Sequence, residues 1–159
     1  MMAEKLGDGW DIVSWTVLAT AAAAKRLDET SWHDPHLAYA ATSELLWWIA
    51  VLDDCLSRNL GDEYDAKRQL QHIGDQIDGL IYARGRLTHA LDVLEPVEPG
   101  GSSSEASYGT PGYWKWSHLP PQKRYNRGES EYQKFIAGHR VQSTLILVLD
   151  FLRSQAWRV

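Results

Sequence analysis

The sequence predicts an all-α fold, a compact four- or five-helix bundle, and three observations carry that prediction. Apolar residues recur at three- and four-residue spacing along most of the chain. No β-hairpin signature interrupts them, and no internal repeat is present. A chain of 159 residues, 44% of them hydrophobic, supports one full core but not two, so a single helical domain over residues 1–159 is expected.

The first helix is predicted from about Asp11 to Leu27, with Trp15, Leu18 and the alanines forming a small-residue face for close helix packing. Its Ile12 to Ala24 core looks superficially like an export signal. However, Glu4, Asp8 and Asp11 outnumber Lys5 where a signal needs positive charge, and a membrane span needs about 20 apolar residues. No membrane partner is expected.

The second helix begins with Asp34 as N-cap and Pro35 at the first helical position, and runs to about Asn59 before Leu60 and Gly61. Leu37, Ala41, Leu45, Trp48, Leu52 and Cys55 form one stripe, while Trp47 and Val51 fall on another side. A helix apolar on two sides is either central to the domain or meets a second copy of the chain, so a homodimer is expected.

A third helical region is predicted from Asp62 to about Leu94, with a bend at Gly74 or Gly79. Leu70, Ile73, Ile77, Leu80, Arg84, Leu87, Leu91 and Leu94 make its seam. Arg84 is the anomaly in that seam. A buried cation there needs an acidic partner, a cleft or a two-fold interface, and Glu44 on the second helix is the best partner. From Glu95 to Pro121 the periodicity stops in a long Pro/Gly/Ser-rich and aromatic loop, which precedes a C-terminal helix gathering Leu145, Val148, Leu149 and Leu152 after Gly138.

Charge and composition narrow the functional classes. The net charge of -5 provides no overall basic field, so nucleic-acid contact would rest on a local patch. The lone Cys55 excludes an internal disulfide and fits a reducing, cytoplasmic setting. The histidines His33, His36, His72, His118 and His139 show no metal-ligand spacing, so neither a metal nor a cofactor is expected. Asp53 and Asp54 are adjacent, so their side chains diverge on a helix, and they read as a solvated helix end.

The chemistry concentrates at Leu80 to Leu91, LIYARGRLTHAL, where four residues separate Arg84 from His89. A ribonuclease without a metal needs a proton donor or acceptor, which His89 supplies, and a cation for the phosphorane, which the planar Arg84 fork suits. On one straight helix the two side chains point about 140° apart. Three arrangements would join them: a helix loosened at Gly85, an Arg84 reaching around, or a site shared by two chains. Tyr113, Trp114, Lys115, Trp116 and His118 form an aromatic cluster able to stack bases, with Lys123, Arg124 and Arg127 nearby to hold phosphates. The competing reading folds those tryptophans back over the core.

The ARGRLTH stretch resembles the Arg-x4-6-His signature of the HEPN superfamily of small helical domains, many of them toxin and phage-defence ribonucleases. The resemblance implies a four- or five-helix homodimer that cuts RNA at the dimer interface without a metal and leaves 2′,3′-cyclic phosphate ends. Arg84 and His89 alone carry over as its catalytic positions; Glu44, from the packing argument, would orient Arg84. Where many active members place asparagine after the arginine, this chain has Gly85. An antitoxin or another protein partner would accompany such an activity. The alternative from another class is a catalytically silent helical interaction module that binds a protein partner through the aromatic loop and second helix.

Overall fold

The computed structural model describes residues 12–31, 33–88, 92–100, 111–122 and 126–158. The fold is mostly helical, as the periodicity requires, with six α-helices and one two-stranded sheet among the described residues. In chain order these are α1 (Ile12–Asp28), α2 (Pro35–Leu60), α3 (Asp62–Arg68), α4 (Ile73–Leu87), β1 (Leu94–Val97), β2 (Tyr113–Trp116), α5 (Glu129–Phe135) and α6 (Val141–Ala156). No helix among the described residues is long and apolar enough to cross a membrane.

α1 and α2 lie against each other along their lengths, but the buried face of α1 is not the one expected. Val13, Thr16, Thr20, Ala23 and Leu27 are buried, whereas Trp15 and Leu18 face outward. The two threonines pack as apolar residues because their hydroxyls donate to the carbonyls four residues back, at 2.7 Å and 2.6 Å. Small side chains on that face then permit close approach.

α2 is the central helix. Asp34 caps it by accepting from the Leu37 N–H, and the Gly61 N–H closes it on the Ser57 carbonyl. Its core runs wider than the predicted stripe, taking in Ala38, Thr42, Leu46, Ile49 and Leu56 beside Ala41, Leu45, Leu52 and Cys55. Leu37 and Trp47 remain on the surface. α2 therefore buries a broad face within one chain.

The predicted third helix is two helices. α3 ends at Arg68, a 3₁₀ turn covers Leu70–His72, and α4 restarts at Ile73. His72 turns the chain with φ 59°, a left-handed conformation that breaks helical continuity just before the predicted hinge at Gly74. Immediately after the break the chain crosses Arg68, where a Cβ on Gly74 would lie 2.8 Å from the Arg68 carbonyl oxygen. Glycine is needed for that crossing. Leu70, the first residue of the predicted seam, consequently faces solvent, while Ile77, Leu80 and Leu87 are buried. Leu91 lies outside the described residues.

The loop expected over 95–121 contains the only sheet among the described residues. β1 and β2 pair antiparallel, Leu94 opposite Trp116 and Pro96 opposite Trp114. The far edge of β2 is covered too: the Trp116 N–H donates to the His139 carbonyl at 2.9 Å and the Gly138 N–H to the Trp116 carbonyl at 2.8 Å. Alternation places Trp114 and Trp116 on the buried face, where Trp116 meets the Tyr132 ring edge-on and Tyr132 Oη donates to the Ser117 carbonyl. On α6, Leu145, Val148, Leu149 and Leu152 are buried as predicted.

α5 is docked on α4 through a close crossing at Gly128, which has φ 87°. A Cβ there would lie 2.3 Å from the Asp78 carbonyl oxygen, a distance no side chain tolerates. Gly128→Ala is expected to destabilise the protein by about 2–4 kcal/mol, combining left-handed strain with overpacking. Urea denaturation of the two proteins side by side measures it, and an unchanged midpoint would rule this contact out as a constraint.

Candidate functional site

A polar cleft of about 720 Å³ opens between the C-terminal half of α2, the end of α3 and the outer face of α4. Four carboxylates, Asp53, Asp54, Asp65 and Asp78, and three guanidinium groups, Arg68, Arg84 and Arg127, border it. These charges are not equivalent.

Arg68 is committed to structure. Its Nε donates to Asp53 Oδ1 at 2.9 Å and its Nη2 to Asp53 Oδ2 at 3.2 Å, a two-pronged grip, while Nη2 also reaches Asp78 Oδ1 at 2.8 Å. Tyr64 Oη donates to the same Asp53 Oδ1 at 2.5 Å. The three charged side chains keep only 17%, 13% and 23% of their surface for Arg68, Asp53 and Asp78. One cation thus bridges two acids that come from α2 and α4. Burial alone would lower the Arg68 pKa, but its hydrogen bonds to Asp53 and Asp78 and their negative charges outweigh it and raise the value. Burial, then the charge of Asp53, pushes the Tyr64 phenol well above its ordinary value.

Asp53 is therefore a largely buried ion-pair residue rather than a solvated helix end. Its neighbour Asp54 does face water, paired with Arg58 one turn along at 2.8 Å. That difference arises because adjacent helical side chains diverge by about 100°. Only one can meet Arg68.

Arg84 stands three residues beyond Ile81 and six beyond Asp78 on the cleft side of α4, between the buried Leu80 and Leu87. Of the three arrangements expected for a seam arginine, it adopts the second and borders a cleft. Its guanidinium carbon lies 5.5 Å from the centre of the Trp47 ring, and it makes no ion pair among the described residues. The expected partner Glu44 is engaged elsewhere: Arg26 of α1 grips both its oxygens, Nε to Oε2 at 2.9 Å. Trp47, left on the surface with 55% exposure, takes the place assigned to Glu44 as the neighbour that orients Arg84. An aromatic face holds a guanidinium without neutralising it, so the fork of donors stays available.

Gly85 does not loosen the helix, since α4 is continuous through it and stops at Leu87 with Thr88 as C-cap. His89 lies outside the described residues, as do Lys123 and Arg124. Arg127 is at the cleft rim, 84% exposed, with Nη2 4.0 Å from Asp78 Oδ1. Of the two readings of Trp114 and Trp116, base stacking or folding back over the core, the structure shows the second, with 3% and 0% exposure. Sequence reasoning missed the Asp53, Arg68 and Asp78 set because its members are 10 and 15 residues apart on three elements, with no periodic relation. The one local signal was an acid directly after the core residues Leu52 and Ile77.

No family model matches the chain, and no curated protein or solved structure is similar to it at a significant level. The cleft belongs to a helical protein that presents an aromatic-backed arginine, without an ion-pair partner among the described residues, beside an ion-pair set in which Arg68 bridges two acids.

Arg68→Met is expected to cost about 2–4 kcal/mol, toward the lower end for a buried pair, because Asp53 and Asp78 would stay part-buried without their cation. Chemical denaturation measures this, and a cost under about 1 kcal/mol would contradict it. Tyr39, Tyr64, Tyr82 and Tyr132 all have phenols raised above the ordinary 10.0, each mainly by burial. A raised phenol contributes full stability below its unfolded value, and that contribution falls as pH climbs toward the folded one. For Tyr64 and Tyr132, whose phenols are raised furthest, stability should therefore be flat to near pH 10 and then fall by about 1.4 kcal/mol per pH unit for each. The tyrosinate absorbance of Tyr64 and Tyr132 should appear only together with unfolding.

Proposed function

We propose that the protein is a metal-independent endoribonuclease acting as a homodimer, with Arg84 as the phosphate-stabilising cation and His89 as the acid/base. The observation that carries the reading is the state of Arg84: a guanidinium at the mouth of a cleft, stacked on Trp47 and without a carboxylate partner among the described residues. An arginine committed to structure would resemble Arg68, held by two acids. The ARGRLTH resemblance supplies the role of His89.

In such a reaction the ribose 2′-hydroxyl attacks the adjacent phosphorus as a base removes its proton. The bond from phosphorus to the 5′-oxygen breaks, an acid protonates that oxygen, and a 2′,3′-cyclic phosphate remains. Arg84 contributes most as negative charge builds on the non-bridging oxygens. A toxin or phage-defence role, with an antitoxin or other protein partner, belongs to the same proposal.

A second reading, a silent interaction module, is favoured by one observation: Leu37 and Trp47 leave apolar surface on α2. With Trp114 and Trp116 in the core, α2 is the part of that surface that remains.

The test is cleavage of total RNA by purified protein in excess chelator, with light scattering to give the oligomeric state. The expected result is new ends carrying cyclic phosphate from a dimer. Arg84→Met should slow cutting by about 10²–10³-fold, as when one oxyanion donor is lost, and His89→Ala should slow it at least as much. Cutting that both variants retain would disprove the assignment. An inactive protein whose partner binding is lost in Trp47→Ala would establish the second reading.

A further inference from the structure

α1 has two apolar faces, and only one of them is buried. Val13, Thr16, Thr20, Ala23 and Leu27 close against α2 and the core. Ile12, Trp15, Leu18, Ala19 and Ala22 point away from that face, with Ile12, Trp15 and Leu18 each more than half exposed. Trp15, Leu18 and Ala22 follow steps of three and four, the spacing of a helix seam, and the chain carries no charged residue from Ile12 to Ala24. A surface helix ordinarily places charged residues on its outer face, so more than three turns without one are a departure.

The neighbouring helix extends the patch. α6 packs beside α1 and leaves Ile146 and Leu147 on the surface, each 56% exposed. Of the nine large apolar side chains exposed among the described residues, five therefore belong to these two helices. Surface apolarity is concentrated there rather than scattered.

The order of sizes along the outer face of α1 identifies what fits it. Large residues, Ile12, Trp15 and Leu18, fill its first half, and small ones, Ala19 and Ala22, its second. Such a gradient is complementary to itself when two copies run antiparallel. With a two-fold axis beside Leu18 and Ala19, Trp15 of each copy lies against the partner's Ala22, and the two Ala19 residues meet where their size lets the backbones come close. A parallel pair would set Trp15 against Trp15 and leave the alanines facing each other across a gap. A lipid surface is a poorer match, because the opposite face of α1 is buried rather than basic and the net charge of -5 opposes an anionic bilayer.

We propose that the outer face of α1 is a homodimer interface, packed antiparallel on the same helix of a second copy. This interface presupposes the homodimer of the proposed function but none of its chemistry. No residue of α1 borders the Arg84 cleft, so each cleft stays within one chain.

The test is sedimentation equilibrium of the full chain over a concentration series, with circular dichroism of each variant to confirm folding. The native protein should be dimeric. Leu18→Glu, which brings two like charges together at the axis, should raise the dimer dissociation constant at least about 100-fold while the helical signal is kept. Two cysteine variants report the orientation, because the native thiol of Cys55 is buried. Ala19→Cys should form an intermolecular disulfide on oxidation, while Lys25→Cys, roughly 20 Å from its counterpart in an antiparallel pair, should not. A native chain that stays monomeric would overturn this interface and the homodimer together, and its flotation with phosphatidylglycerol vesicles would assign the face to lipid instead. A dimer that withstands Leu18→Glu but dissociates in Trp47→Glu would overturn this interface alone and place the contact on α2.

Discussion

The buried ion set centred on Arg68 is the constraint on which the rest of the molecule depends. Asp53 comes from α2, Arg68 from the last residue of α3 and Asp78 from the second turn of α4, so a single guanidinium fixes three helices relative to one another. Such a set is weak evidence for net stability, because two acids and a base have been taken out of water. Its value lies in specificity: only one rotation of α4 places Asp78 against Arg68. With that rotation fixed, Ile77, Leu80 and Leu87 enter the core, Arg84 reaches the cleft, and Tyr82 and Arg86 face the other way. The two arginines of the same short stretch are thereby sent to different sides of α4.

The second wall of α4 is set by contact rather than charge. Gly128 meets the α4 backbone at Asp78, the residue whose side chain holds Arg68. Tyr132 then packs between Tyr82 and Trp116, which joins α4, α5 and the hairpin into one aromatic core. The chain therefore spends its buried tryptophans on cohesion of the C-terminal half and leaves Trp47 on the surface to back Arg84.

Helix class, the Asp34 cap and the α6 core were legible in the sequence, because each rests on local spacing or on a residue with a single strong local preference. The singular position of Arg84 was legible for the same reason, as a charge inside an apolar seam. What was hidden depends on long-range placement. The break before α4 turns on a left-handed His72, a conformation no spacing rule assigns to histidine. The hairpin pairs strands four residues long across a wide gap in sequence, too short for alternation to stand out from the flanking prolines and glycines. Glu44 was matched to the wrong arginine because α1 packs on α2 through its threonine and alanine face, which brings Arg26 to that carboxylate. Loosening at Gly85 was one of three ways to bring Arg84 and His89 together, and the helix runs straight through that glycine.

The central claim is a division of labour, with Arg68 closed into the structure and Arg84 left open for the phosphate that the proposed function assigns to it. It is tested most directly by observing the arginine Nε–H resonances by NMR as a short non-cleavable RNA is added. The account predicts a slowly exchanging Arg68 Nε–H that does not move and a rapidly exchanging Arg84 Nε–H that shifts and becomes protected. An Arg84 signal indifferent to RNA, or an Arg68 signal that exchanges freely and shifts with it, would contradict the account.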